Sequence, residues 1–109
     1  MKTYQIVIEA EAERDLAEID AYIALHDSAD KAISVMAKIE QAIGKLTMLP
    51  NRGSRPKELL EHGVLDFRET FFKPYRILYR VVDDKVVVVL VADGRRDMRS
   101  LLTRRLLSA

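Results

Sequence analysis

The sequence predicts an α+β fold in the order β-α-α-β-β-β with a short C-terminal helix. A helical hairpin should pack on one face of a mostly antiparallel four-stranded sheet. Three observations carry this expectation. The spacing of apolar residues changes along the chain from two, to the three-and-four of a helix, and back to two. Pro50 stops the helical stretch, because proline disfavours helical geometry in the residue before it. The run "VVVVLVA", Val86 to Ala92, has no polar alternation, so that strand should be buried on both faces, central or covered by helices.

Taken in order, "TYQIVIEA" alternates Tyr4, Ile6 and Ile8 against Gln5, Val7 and Glu9 and predicts a first strand. From Glu11 the period becomes helical. Leu16, Ile19 and Ile23, with Ala12 a turn earlier, predict an amphipathic helix over about 12–26. "HDSAD" supplies a break with capping residues. Ala32, Val35, Met36, Ile39, Ala42, Ile43, Leu46 and Leu49 then predict a longer helix over about 29–48. "PNRGSRPKELLEHG", with two prolines and two glycines, reads as irregular. From Val64 the chain reads as strand again: "VLDFRETFF", "YRILYRVV" and "KVVVVLVA", the last two joined by a two-residue turn at Asp83-Asp84. Asp97 is placed to cap a final short helix with Met98, Leu101, Leu102 and Leu106 on one side.

The 109 residues fit one domain spanning 1–109. With no cysteine, disulfides and thiolate metal sites are excluded, and a reducing cytoplasm is the expected location. The acidic N-terminal stretch lacks the apolar core of a secretion signal. The longest apolar run is far short of the ~20 residues a membrane helix needs, so no membrane partner is expected. His26 and His62 lack ligand-spaced neighbours, Ser54 and Ser100 lack a nucleophile elbow, and the four glycines form no phosphate loop. No metal or cofactor is expected. The carboxylates Glu11, Glu13, Asp15, Glu18 and Asp20 read as a solvated helix face.

Charge is divided unevenly. Residues 1–50 carry 5 Lys/Arg against 9 Asp/Glu, and residues 51–109 carry 13 against 8. Arg76 and Arg80 stand four residues apart, on one face of a strand, the sheet face the helical hairpin leaves open, with Arg68 on the strand before. Counting outward from the turn brings Arg76 toward the loop carrying Arg95 and Arg96. Clustered guanidinium groups suit bidentate binding of carboxylates or phosphates. The alternative is a salt-bridge cluster with Asp66, Glu69, Asp93 or Asp97.

"AEAERDLAEIDAYI", "IEQAIGKLTMLPNRG", "YRILYRVVDDKVVVVLVADGRRD" and "LLTRRLL", in that order, resemble the RelE/ParE superfamily of bacterial toxin–antitoxin toxins. The resemblance implies neutralisation by an acidic cognate antitoxin whose extended and helical segments wrap the toxin, with more than one copy of each chain. It also implies two mechanisms. The ribonuclease branch cleaves messenger RNA in the ribosome, using lysines on the strand before "YR", arginines matching Arg76 and Arg96, and a C-terminal aromatic. Here Phe67, Glu69, Leu101 and Leu102 stand at the lysine and aromatic positions. The ParE branch poisons DNA gyrase and is the closer resemblance. A third reading is a member that binds antitoxin without toxicity. Candidates for target binding are Arg68, Arg76, Arg80, Arg95, Arg96, Arg99, Arg104 and Arg105. Met98, Leu101, Leu102 and Leu106 are candidates for antitoxin contact.

Overall fold

The computed structural model describes residues 2–108. Strand β1 (Gln5–Ile8) leads into helices α1 (Ala10–His26) and α2 (Ala29–Gly44), and a single 3-10 turn (Lys45–Thr47) closes the helical hairpin. A short helix α3 (Lys57–Leu60) precedes β2 (Arg68–Phe72), β3 (Tyr75–Val82) and β4 (Lys85–Asp93). Helix α4 (Met98–Leu102) runs into one π-helical turn, Thr103–Leu107. The sheet order is β1-β4-β3-β2, parallel between β1 and β4 and antiparallel elsewhere. The valine strand therefore lies inside the sheet, as its lack of polar alternation requires.

The expected stripe on the hairpin packs against the sheet. Ile23, Val35, Ile39, Ile43 and Leu46 are buried with Ile77, Tyr79, Val86, Val88 and Val91, while Leu16 and Ile19 pack at the margin. Ser28 caps α2 by accepting the Lys31 amide at 3.0 Å. The α-helix ends at Gly44, short of 48, and tightens into the 3-10 turn. Leu49, expected on the buried stripe, is 56% exposed because the turn ends at Thr47 and the chain has left the helix before reaching it.

Two further expectations need correction. Residues 64–67 are not strand, and the "irregular" segment contains α3. Pro56 precedes that helix, and Gly63 (φ +72°) ends its last turn: the Gly63 amide donates to the Leu60 carbonyl and the Val64 amide to the Leu59 carbonyl. This paired closure needs a left-handed residue, which glycine supplies without a Cβ penalty. Val64 and Phe67 then turn inward instead of extending. Nor is the second sheet face open. Leu59 from α3 and Met98, Leu101 and Leu102 from α4 bury it with Leu78, Val87, Val89, Leu90 and Ala92. The fold is a sheet covered on both sides, with two cores.

A bulge on β4 makes this double burial fit. Leu78 pairs with Leu90 but Tyr79 with Val88, leaving Val89 as the extra residue. Val88 and Val91 thereby face the helical hairpin, whereas Val89 and Leu90 both face the second core.

The segment after the hairpin is pinned through Tyr79. Its hydroxyl donates to the Pro50 carbonyl at 2.7 Å and accepts the Gly53 amide at 3.1 Å, both buried. A Cβ on Gly53 would lie 2.4 Å from the Glu69 carbonyl oxygen, so the turn is confined to glycine. Tyr79→Phe removes the partner of a buried donor and a buried acceptor. A loss of about 1–3 kcal/mol in urea denaturation is expected, with faster exchange of the Gly53 amide. An unchanged midpoint would show that water replaces the hydroxyl.

Candidate functional site

Of the candidate arginines, Arg76 is held most tightly. It lies on the second face of β3, and its side chain is only 12% exposed. Nη1 and Nη2 donate to the two carboxylate oxygens of Glu58, each at 2.8 Å, and Nε donates to Glu69 at 2.7 Å. Glu58 and Glu69 are themselves buried. Gly94 lets the arginine stem lie close, since a Cβ there would sit 2.9 Å from Arg76 Cδ. The hydrogen bonds from Arg76 lower the Glu58 pKa to about 2, and in turn raise that of Arg76. The salt-bridge alternative thus holds for Arg76: it joins α3 to β2 and β3, with all three of its nitrogens engaged by carboxylates.

Arg105, expected to bind a target, is also engaged internally. It donates to both oxygens of Asp15 at 2.9 and 3.0 Å and to the Val89 carbonyl at 3.2 Å, and it pairs with Glu11 at 2.6 Å. The Asp15 hydrogen bonds raise its pKa. Asp15 additionally accepts the Val91 amide at 3.0 Å. Its reading as a solvated charge is therefore corrected: Asp15 and Arg105 together cap the edge of β4 beyond the end of β1, where no strand supplies partners.

The remaining arginines are closer to solvent. Arg68 donates to the Gly53 carbonyl at 2.8 Å. Arg80 makes a loose pair with Glu9 at 3.8 Å across exposed side chains. Arg95 chelates Asp93 with contacts of 2.6–3.2 Å, and that hydrogen bonding lowers the Asp93 pKa. Arg99 pairs with Glu61, whose pKa it lowers through the same kind of contact. Arg96 and Arg104 are exposed or nearly so and form no ion pair among the described residues. Arg76 and Arg95 are each held by carboxylates of their own, Glu58 and Glu69 for the one and Asp93 for the other, and are not offered together as free guanidinium groups.

The apolar candidates are placed differently from expectation. Met98, Leu101 and Leu102 are 5%, 4% and 1% exposed and fill the second core, so they offer no free surface. Leu106 is half-buried at the margin of that core. Asp97 does cap α4, accepting the Ser100 amide and hydroxyl. Among the described residues no group of His, Asp or Glu is arranged to hold a metal ion, and no helix is long and apolar enough to cross a membrane.

The residues that determine this site are Glu58, Asp15 and Tyr79, none of which stood out in the sequence as a partner. Glu58 could have been found from its helix, since a proline just before and a glycine just after "KELLEH" are boundary signals. Residues 6–98 match the model of the family described as the ParE toxin of the type II toxin–antitoxin system, parDE. The chain belongs to the ParE toxin family. No curated sequence matches it. Its fold is similar to a chain of the chromosomal ParDE toxin–antitoxin system from P. aeruginosa (TM-score 0.71, 19% identity, 84% of this chain and 96% of that one). It is similar to a chain of the toxin–antitoxin complex RelBE2 from Mycobacterium tuberculosis (TM-score 0.56, 24% identity, 85% and 93%). An arginine-to-alanine double mutant of E. coli toxin RelE in the free state also aligns (TM-score 0.63, 14% identity, 95% and 98%). At these identities the structures establish a shared RelE/ParE fold. The family match establishes a ParE-type toxin.

Proposed function

We propose that this ParE-family chain inhibits DNA gyrase without catalysing a reaction of its own, and that an acidic cognate antitoxin neutralises it by direct binding. The observation carrying the first part is the engagement of Arg76 by Glu58 and Glu69. Ribonuclease chemistry requires a cation free to meet the phosphate and groups that move protons to and from oxygen. Here the three interlocked side chains sum to one negative charge, which repels phosphate. Arginine stays protonated, and a carboxylate with a pKa of about 2 is too weak a base to activate a 2′-hydroxyl. The position that the ribonuclease resemblance would fill with lysine holds Glu69 instead, as part of the clamp.

Target binding then rests on the arginines with donors to spare, Arg96 and Arg104 above all. The purified chain is expected to inhibit gyrase supercoiling and leave ribosome-bound messenger RNA intact. Arg96→Glu and Arg104→Glu should each lower that inhibition about tenfold or more while leaving the unfolding midpoint unchanged. These surface replacements are cleaner than truncation after Asp97, which removes Met98, Leu101 and Leu102 from the core. Co-expression with the product of the adjacent upstream reading frame should rescue growth and yield a complex. Cleavage of messenger RNA at the ribosomal A site, with gyrase unaffected, would overturn the proposal in favour of a RelE-like endoribonuclease.

A further inference from the structure

From Met98 onward the chain divides its residues by face. Met98, Leu101, Leu102, Leu106 and Leu107 turn toward the second core, while Arg99, Ser100, Thr103, Arg104 and Ser108 turn outward and are exposed. Those five outward residues line a shallow groove of about 380 Å3. Steps of four residues, Arg99 to Thr103 and Ser100 to Arg104, stack them along one side of the helix. The π-helical turn then brings Ser108 back beside Thr103, where its hydroxyl donates to the Thr103 carbonyl at 3.0 Å.

The groove presents guanidinium and hydroxyl groups only. The outer faces of α1 and α2 mix signs, with Glu13 beside Arg14 and Lys38 near Glu40, as solvated helices do. Among the described residues no carboxylate lines this groove. Asp97 is turned into the cap of α4, and Glu61 engages Arg99 through Nε and Nη2 from outside the groove. Arg99 Nη1, the Thr103 hydroxyl and the whole Arg104 guanidinium remain without a partner among the described residues. The groove also lacks an apolar wall. Protein–protein interfaces draw most of their affinity from apolar and aromatic anchors at the centre, and none is present here. Arginine forks with serine and threonine hydroxyls are instead the set that contacts a sugar-phosphate backbone.

We infer that this groove takes backbone phosphates of the duplex DNA on which gyrase acts, an inference that rests on the gyrase reading above. Arg99 and Arg104 pair with phosphate oxygens, and the Thr103 hydroxyl donates to the same backbone. The toxin then grips enzyme and DNA together, so its affinity depends on both. Phosphate contacts carry no base information, so this surface needs no preferred sequence.

The test measures binding of the full chain to purified gyrase, bare and loaded with a linear DNA duplex. The wild-type chain should bind the loaded enzyme about tenfold more tightly than the bare one, and the gain should shrink as salt rises. Arg104→Ala should lower the slope of log affinity against log salt by about one, the mark of one lost phosphate contact. Thr103→Val should weaken binding to the loaded enzyme severalfold with the slope unchanged, because it removes a neutral donor. Neither should alter binding to bare gyrase. Arg14→Ala, exposed on α1 across the sheet, makes the same change of net charge and should keep the wild-type affinity and slope. All three replacements are on the surface, and equal unfolding midpoints check that the fold persists. Equal wild-type affinity for bare and loaded gyrase overturns the phosphate contact and leaves the gyrase reading standing. An Arg104→Ala loss as large on bare gyrase assigns the groove to a protein surface and overturns it too. So does a loss matched by Arg14→Ala, which would report net charge alone. Absence of binding to gyrase in either state removes both readings together.

Discussion

Ile39→Asp is expected to abolish the folded state, leaving no cooperative transition in urea or on heating. Ile39 is fully buried in α2, under the hairpin and against the sheet. Its replacement removes a large apolar side chain from a packed site, costing about 2–5 kcal/mol for the cavity. It also places a carboxylate where no cation is at hand, costing several kcal/mol more or forcing the group to take up a proton. Domains of this size are stable by about 5–15 kcal/mol, so the two effects together consume the margin. Ile33→Asp is the control. Ile33 is on the same helix but 68% exposed, so its replacement should shift stability by no more than about 0.5 kcal/mol. The pair isolates burial from helix propensity, because both change isoleucine to aspartate in one helix. A wild-type midpoint for Ile39→Asp would mean that α2 does not present that face to the sheet.

The contrast between Ile39 and Ile33 was legible because it is periodic. So were the inner valine strand, the Ser28 and Asp97 caps and the two-residue turn, where Asp83 takes a positive φ of 56° in place of the usual glycine. The second core was not legible. Helix α3 spans four residues, too few for a helical period to show, and the β4 bulge reverses which residues face which core. Arg76 and Arg80 alternate with apolar residues exactly as a solvent face does, so they read as exposed. Periodicity reports which side of a strand a residue occupies, not what arrives there from elsewhere. The partners that settle Arg76 lie 7 and 18 positions away, and those that settle Asp15 lie 76 and 90 away. For the same reason, Met98, Leu101 and Leu102 were correctly placed on one side of a helix, but the surface they meet is the chain's own.

Arg76→Ala is the second large effect, and its pH dependence distinguishes a clamp from a binding residue. Glu58 and Glu69, 6% and 7% exposed, would face each other with no cation between them, a loss of about 3–5 kcal/mol at neutral pH. In the wild type, Glu58 has a pKa of about 2 in the fold against 4.5 when free. Its depressed pKa means that the contribution, on the order of 3 kcal/mol, is fully present above pH 4.5 and is lost as pH falls toward 2. Without Arg76 the sign reverses. Burial and the neighbouring carboxylate then act on Glu58 unopposed and raise its pKa above the free value, so folding takes up protons and the variant gains stability as pH falls. Between pH 6 and 4 the variant's urea midpoint should therefore rise, while the wild type's stays level or drops. Arg76→Met combined with Glu58→Gln and Glu69→Gln should recover part of the loss and flatten the slope, because no charge remains in this cluster. Gyrase inhibition per folded molecule should stay within about twofold for Arg76→Ala, since its donors already serve Glu58 and Glu69. A variant with wild-type stability that has lost inhibition would instead make Arg76 a target contact, with the clamp opening on binding.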